Sequence, residues 1–152
     1  MNNKGFTLIE LLIVITIIGL LASIVLASAS AARAHARDTR RQADLHALHT
    51  AISSYFIDKG TLPRSTGWCT YISNTTSGYG TSFQNDISPK YIVKVPLDPT
   101  KAGQVGDYFY KNTNTNIGSF VLCANLEKNT GQTNNYSSCT GGSVYNYCIT
   151  GL

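Results

Sequence analysis

No proline stands before Pro63, no cysteine before Cys69, no histidine after His49 and no aspartate after Asp107. The missing prolines leave the first third of the chain free to run as one uninterrupted helix. The four cysteines, Cys69, Cys123, Cys139 and Cys148, all fall in the polar C-terminal part. An even set in a small domain points to a disulfide framework and an oxidising compartment. Zinc is disfavoured, because that region holds no Cys-x-x-Cys spacing and no histidine. Of the pairings open to four cysteines, we favour Cys139 with Cys148, which closes a short C-terminal loop, and Cys69 with Cys123. Charge is scarce too, at 13% of 152 residues with a net +4. So weak an imbalance, with no aromatic residue among the arginines, gives no ground for nucleic-acid binding. The chain is long enough for one domain beside its apolar head, and the Asn-, Thr-, Ser- and Gly-rich remainder has only a thin core.

What is abundant is apolar sequence at the start. Leu11 to Leu26 carries neither charge nor proline, and with Phe6 to Ile9 it reaches the roughly 20 residues that cross a bilayer. A cleaved secretory signal is a second reading, with Lys4 as its basic region and Ala27-Ser28-Ala29 or Ala29-Ser30-Ala31 as the cleavage site. Its core would exceed the usual length of about 7 to 15 residues and would contain Glu10. An ionised carboxylate inside a bilayer costs several kcal/mol unless it is paired. Glu10 therefore asks for a partner.

The stretch Lys4-Gly5-Phe6-Thr7-Leu8-Ile9-Glu10, followed by Leu11-Leu12-Ile13-Val14-Ile15, resembles the processing signal of type IV prepilins and type II secretion pseudopilins. The resemblance implies a leader of residues 1–5, cut after Gly5 by a membrane-embedded prepilin peptidase, and N-methylation of Phe6. It makes Glu10 the family's assembly glutamate. Cleavage would free a cationic amine one helical turn from Glu10, and in a packed array that amine can meet Glu10 of a neighbouring subunit. The resemblance further implies an inner-membrane platform protein and an assembly ATPase as partners, with membrane lipid around the stored subunit. One rule opposes export: Arg33, Arg37, Arg40 and Arg41 after the span outnumber Lys4 before it, which by the positive-inside count keeps the C-terminal part in the cytoplasm. The cysteine pattern argues the reverse, and we follow the cysteines.

Beyond the span, a helix from Phe6 to Lys59 would run roughly 80 Å at 1.5 Å per residue. Leu45, Leu48, Ile52, Tyr55 and Phe56 follow three-four spacing and predict a face packed on a sheet. Gly60 stops the helix and Pro63 prevents its return. The divisions are thus 1–5 leader, 6–28 transmembrane and assembly helix, 29–59 amphipathic continuation, and 60–152 a small loop-rich β domain. The arginine cluster, diluted by Asp38 and Asp44, reads as a solvated face or as a site for lipid phosphate or acidic neighbours. His46 and His49 share a helical face with His35 near the same side, and reading them as exposed or flanking side chains is favoured over a metal site that lacks further ligands.

Asp107 to Asn112 and Ser119 to Leu126 read as strands of a hairpin, Val144 to Thr150 as a third strand and Trp68 to Ile72 as a weaker one. Asn74 to Asp86 reads as loop. The class is α+β, a long helix on a small antiparallel sheet. Arg40-Arg41-Gln42-Ala43-Asp44-Leu45, Thr50-Ala51-Ile52, Leu62-Pro63, Val95-Pro96-Leu97-Asp98-Pro99 and Asp107-Tyr108-Phe109-Tyr110 look like the corresponding parts of major pseudopilins, which implies the pilin fold. Two departures stand out: the cysteine set is closer to type IV pilins, and the C-terminal aspartates through which major pseudopilins often bind calcium are missing. No cofactor is expected. We find no nucleophile with a base, no phosphate loop and no metal cluster, so the chain reads as a structural subunit rather than an enzyme. The favoured function is a pseudopilin-like filament subunit, anchored in the inner membrane with an exported C-terminal domain. The alternatives are a type IV pilus subunit used in adhesion, motility or DNA uptake, and a secreted disulfide-stapled binding protein.

Overall fold

The computed structural model describes residues 5–65, 70–72, 79–101, 107–114, 119–128, 136–137 and 144–151. The chain divides into two compact units, residues 1–36 and 37–152, each taken on its own below. Helix α1 (Leu8–Lys59) contributes to both.

In the first unit no other described element packs on α1, and the large apolar side chains from Leu8 to Leu26 are exposed. Its hydroxyls are turned inward on the backbone. Thr16 donates to the Leu12 carbonyl, Ser23 to Leu20 at 2.8 Å and Ser28 to Val25 at 2.9 Å. A helix that satisfies its own polar side chains in this way suits an apolar medium. By length and composition it is long and apolar enough to cross a membrane.

The second unit is α+β, as the sequence predicts. Strands β1 (Thr70–Tyr71), β2 (Phe109–Asn114), β3 (Ser119–Ala124) and β6 (Tyr147–Gly151) form an antiparallel sheet in the order β1-β2-β3-β6. A separate hairpin pairs β4 (Tyr136–Ser137) with β5 (Val144–Tyr145). Side chains alternate with the pleat. Tyr110, Phe120, Leu122, Ala124 and Tyr147 join Leu45, Leu48 and Ile52 of α1 in the main core, with Tyr55 and Phe56 packed at its margin. Phe109, Val121, Cys123, Tyr145 and Cys148 form a second cluster on the opposite face. Gly60 closes α1 as expected, at φ +68° with its N–H donating to the Phe56 carbonyl at 2.8 Å, a backbone state that glycine adopts at no steric cost.

Three expectations need correction. Asn74 to Asp86 is not wholly loop, because Tyr79–Ile87 forms helix α2. Phe83 and Ile87, four residues apart, bury one side of it in the core, and tertiary packing outweighs a polar composition. The single strand expected over Val144 to Thr150 is two, β5 and β6, in different sheets. The disulfide pairing also differs: Cys123 bonds Cys148, so neither Cys139 with Cys148 nor Cys69 with Cys123 forms. Strand register decides this, since β3 and β6 are neighbours and Cys123 lies opposite Cys148. Cys69 and Cys139 lie outside the described residues. The bridge spans a separation of 25 residues and stabilises by about 3 kcal/mol, chiefly by restricting the unfolded chain.

Gly151 faces Phe120 across the same ladder, and a Cβ there would lie only 2.1 Å from Cε1 and 2.2 Å from Cζ of the Phe120 ring. Gly151→Ala should therefore lower the unfolding free energy of the detergent-solubilised protein by about 1–3 kcal/mol, as overpacking does. Peptide mapping without reduction should recover Cys123 joined to Cys148.

Candidate assembly and processing site

The expected processing signal occupies the start of α1. Gly5, Phe6 and Thr7 are exposed and non-helical, and the helix begins at Leu8. The cause is a reciprocal cap. The Thr7 backbone N–H donates to Glu10 Oε2 at 2.9 Å, the Thr7 hydroxyl donates to the same oxygen at 2.7 Å, and the Glu10 N–H donates to Thr7 Oγ1 at 3.3 Å. This is the capping box of a Thr with a Glu three residues on, and the Leu11 N–H closes the first helical turn on the Thr7 carbonyl at 3.3 Å. The Thr-x-x-Glu spacing was there to be read, and it gives Glu10 a role inside its own chain beside the intersubunit one expected from the sequence. Gly5 and Phe6 directly precede the Thr7 that caps the helix with Glu10. The geometry leaves the Gly5–Phe6 peptide outside the helix, with open space where a Gly5 side chain would be.

The arginine cluster divides into different roles. Arg41, only 2% exposed, lies at the centre of a charge network in the second unit. Its Nε donates to Asp98 at 2.7 Å, Nη1 to Asp38 at 2.8 Å and Glu127 at 3.0 Å, and Nη2 to Asp98 at 3.3 Å and Thr100 at 2.8 Å. All five guanidinium donors are thereby used. Arg37 grips Glu127 through Nε at 2.6 Å and Nη2 at 2.5 Å. Asp38 in turn accepts the backbone N–H of Glu127 and of Lys128, each at 2.9 Å. The network ties α1 to the exit of β3 and to the turn at Asp98, whose carboxylate also accepts the N–H of Thr100 and Lys101. Arg41 is therefore neither part of a solvated face nor available to lipid, whereas Arg37 is committed to Glu127 but stays partly exposed. Arg40, paired loosely with Asp44 at 3.8 Å, stays exposed. No sequence pattern marks which arginine is buried, because the carboxylates that enclose Arg41 come from distant parts of the chain.

Electrostatics agree with the geometry. The bonds from Arg37, aided by Arg41, hold Glu127 down at about 2. Burial alone would raise Asp98, but the Arg41 bonds and the N–H groups of Thr100 and Lys101 bring it below the ordinary carboxylate value. Burial likewise raises Tyr108, reinforced by its hydrogen bond to Asp44 at 2.7 Å.

Of the histidines, His46 is exposed and His49 is half-buried with its ring 5.3 Å from that of Phe120. Both line a groove of about 360 Å³ with Cys148, Ile149 and Thr150. Among the described residues no group of three or more His, Cys, Asp or Glu is placed to hold a metal ion.

Arg41→Leu leaves Asp38 and Asp98 buried without their cation, and should cost about 3–5 kcal/mol in denaturant unfolding. Arg40→Leu, on the exposed side, should change it by less than about 0.5 kcal/mol. Depressed carboxylates stabilise fully above their unfolded values and lose that contribution on protonation. The melting temperature should accordingly drop as pH falls from about 4.5 toward about 2. In Arg41→Leu that slope should flatten.

Comparison with known proteins bears on the N-terminal segment first. A family profile described as the prokaryotic N-terminal methylation motif matches residues 1–26. The type IV major pilin protein PilA of Myxococcus xanthus is 44% identical over 58 residues, covering 38% of this chain and 26% of that one. A fimbrial protein of Neisseria meningitidis is 35% identical over 95 residues, covering 62% and 50%. The type II secretion system core protein G of Aeromonas hydrophila is 30% identical over 99 residues, covering 64% and 68%. The chain thus spans about a quarter to a half of the length of the two pilins it matches. No solved structure matches it. A methylation motif over the capped, exposed helix start, with identity continuing into the second unit at two thirds coverage of a secretion protein, places this chain in the family of type IV pilins and type II secretion pseudopilins.

Proposed function

We propose that the chain is a structural subunit of a pilus-like filament, stored in the inner membrane, cut after Gly5, methylated at Phe6 and polymerised through α1. The observation that carries this reading is the helix start, where a non-helical Gly5–Phe6 bond adjoins the Thr7–Glu10 cap and an apolar helix face covered by nothing in its own unit. Lipid covers that face before assembly and neighbouring helices cover it afterwards, so one surface serves as anchor and as filament core. A groove of about 410 Å³ at Leu12, Ile15, Thr16 and Gly19, where glycine leaves open space, offers a neighbouring helix a place for a side chain. Stacking in register brings the new amine of one subunit to Glu10 of the next, and two costly charges cancel. The contact is heterologous and does not close on itself, which yields an open filament rather than a ring. The Cys123–Cys148 bridge favours an oxidising compartment for the second unit. A prepilin peptidase, a platform protein and an ATPase are the expected partners, and the role is structural rather than enzymatic.

The secretion pseudopilin reading is preferred because the alignment covers two thirds of the Aeromonas protein. A type IV pilus subunit is the second reading, favoured by the cysteine bridge in the C-terminal sheet. Long surface filaments on the producing cells would select the pilus.

In a host that carries the assembly machinery, mass spectrometry of the mature protein should find N-methylated Phe6 at the amino terminus. A start at Ser30 or Ala32 would replace this reading with an ordinary secreted protein. Glu10→Ala should be inserted and cleaved as usual, yet yield little or no filament in the sheared fraction. Wild-type yield from that variant would refute the role given to Glu10.

A further inference from the structure

The cap treats the two oxygens of Glu10 differently. Oε2 accepts both the backbone N–H and the hydroxyl of Thr7, and no described group donates to Oε1. From this asymmetry we infer that Thr7 is a positioning residue for assembly, one that pins Oε2 and presents Oε1 to the incoming ammonium of the neighbouring subunit. The inference rests on the assembly role proposed above for Glu10 and deepens it.

Three considerations support it. A glutamate side chain has several rotatable bonds, and fixing it on docking costs up to about 1.5–2 kcal/mol of rotamer entropy. A carboxylate already tied back to Thr7 has met part of that cost before the partner arrives, which is the advantage of preorganisation. A carboxylate also offers more acceptor sites than the two Thr7 donors fill, so holding Oε2 does not block the other oxygen. Finally, both Thr7 donors are neutral and local. They ease the presence of a carboxylate in an apolar setting while leaving its charge for an external cation. The hydroxyl is the replaceable half of this device, because the backbone N–H survives any substitution.

The test compares Thr7→Val and Thr7→Ser with the wild type, in a host carrying the peptidase, platform protein and ATPase. Immunoblotting of membranes and mass spectrometry of the N-terminus control for insertion, cleavage and methylation, and sheared filament is the readout. Thr7→Val keeps the shape and removes the hydroxyl. It should be inserted and processed as usual but give about fivefold less filament, the effect of losing one capping hydrogen bond. Thr7→Ser restores the hydroxyl and should restore most of the yield. Full yield from Thr7→Val overturns the inference, as does an equal loss in Thr7→Ser or a loss traced to poor cleavage. Glu10→Ala in the same experiment keeps the two proposals apart. If it assembles normally the role of Glu10 itself fails, whereas if it fails while Thr7→Val assembles normally, only the role of Thr7 does.

Discussion

The helix from Leu8 to Leu26 carries apolar surface that no described residue of its own unit covers. Fourteen of its side chains are large and apolar, and all fourteen are exposed. At about 25 cal/mol per Å² removed from water, such a surface is not stable in an aqueous setting for long. It has to be covered by hydrocarbon or by other helices of the same kind. The rest of the molecule can be understood as the consequence. Polar groups on this segment are few, and the described ones make hydrogen bonds within a turn of themselves: Thr7 with Glu10, Thr16 with Leu12, Ser23 with Leu20 and Ser28 with Val25. A segment covered by apolar surroundings cannot depend on water for any of these bonds.

In residues 37–152 the same helix faces a different demand, since there it must hold a small sheet whose apolar content is modest. Two devices supplement the core. The Cys123–Cys148 bridge fixes β6 on β3, and Arg41 gathers Asp38, Asp98 and Glu127 around one guanidinium. A buried ion cluster adds little net stability over an apolar one of the same volume, but it tolerates few alternative arrangements. Only one register of α1 against Asp98 and Glu127 satisfies all five donors. The core supplies much of the stability, and the network specifies where along α1 the sheet sits.

How much of this was legible in the sequence depended on whether the signal was local. The helix, its stop at Gly60 and the buried face of Leu45, Leu48 and Ile52 follow from spacing a few residues long. So does the hairpin of β2 and β3, because each strand is a short run rich in β-prone residues and the connection between them is short. The capping box was equally local and lay hidden behind the question of why a carboxylate stands in an apolar run. The disulfide, by contrast, turned on which strands became neighbours. Loop length favoured Cys139 for Cys148, whereas the sheet placed Cys123 opposite it. Helix α2 was missed because its apolar residues, Phe83 and Ile87, are sparse, and packing rather than propensity makes it a helix. The arginines were missed for a related reason: four similar side chains within nine residues differ only in what folds onto them.

The Thr7–Glu10 pair links these levels. In water a capping box is worth roughly 1 kcal/mol and merely decides where a helix begins. In an apolar medium an unmet donor costs several times more, so the same three hydrogen bonds also determine whether a glutamate can be tolerated there. The bonds meet the needs of the helix terminus, yet they cannot neutralise the carboxylate, because Thr7 brings donors and no charge. That residual charge is what separates this helix from an ordinary anchor. An inert span would be at rest in the bilayer, while one bearing an uncancelled carboxylate at its start is better placed wherever a cation waits at the same depth. If cleavage after Gly5 supplies that cation, the subunit is stable enough to be stored and still favours leaving the bilayer for a neighbour.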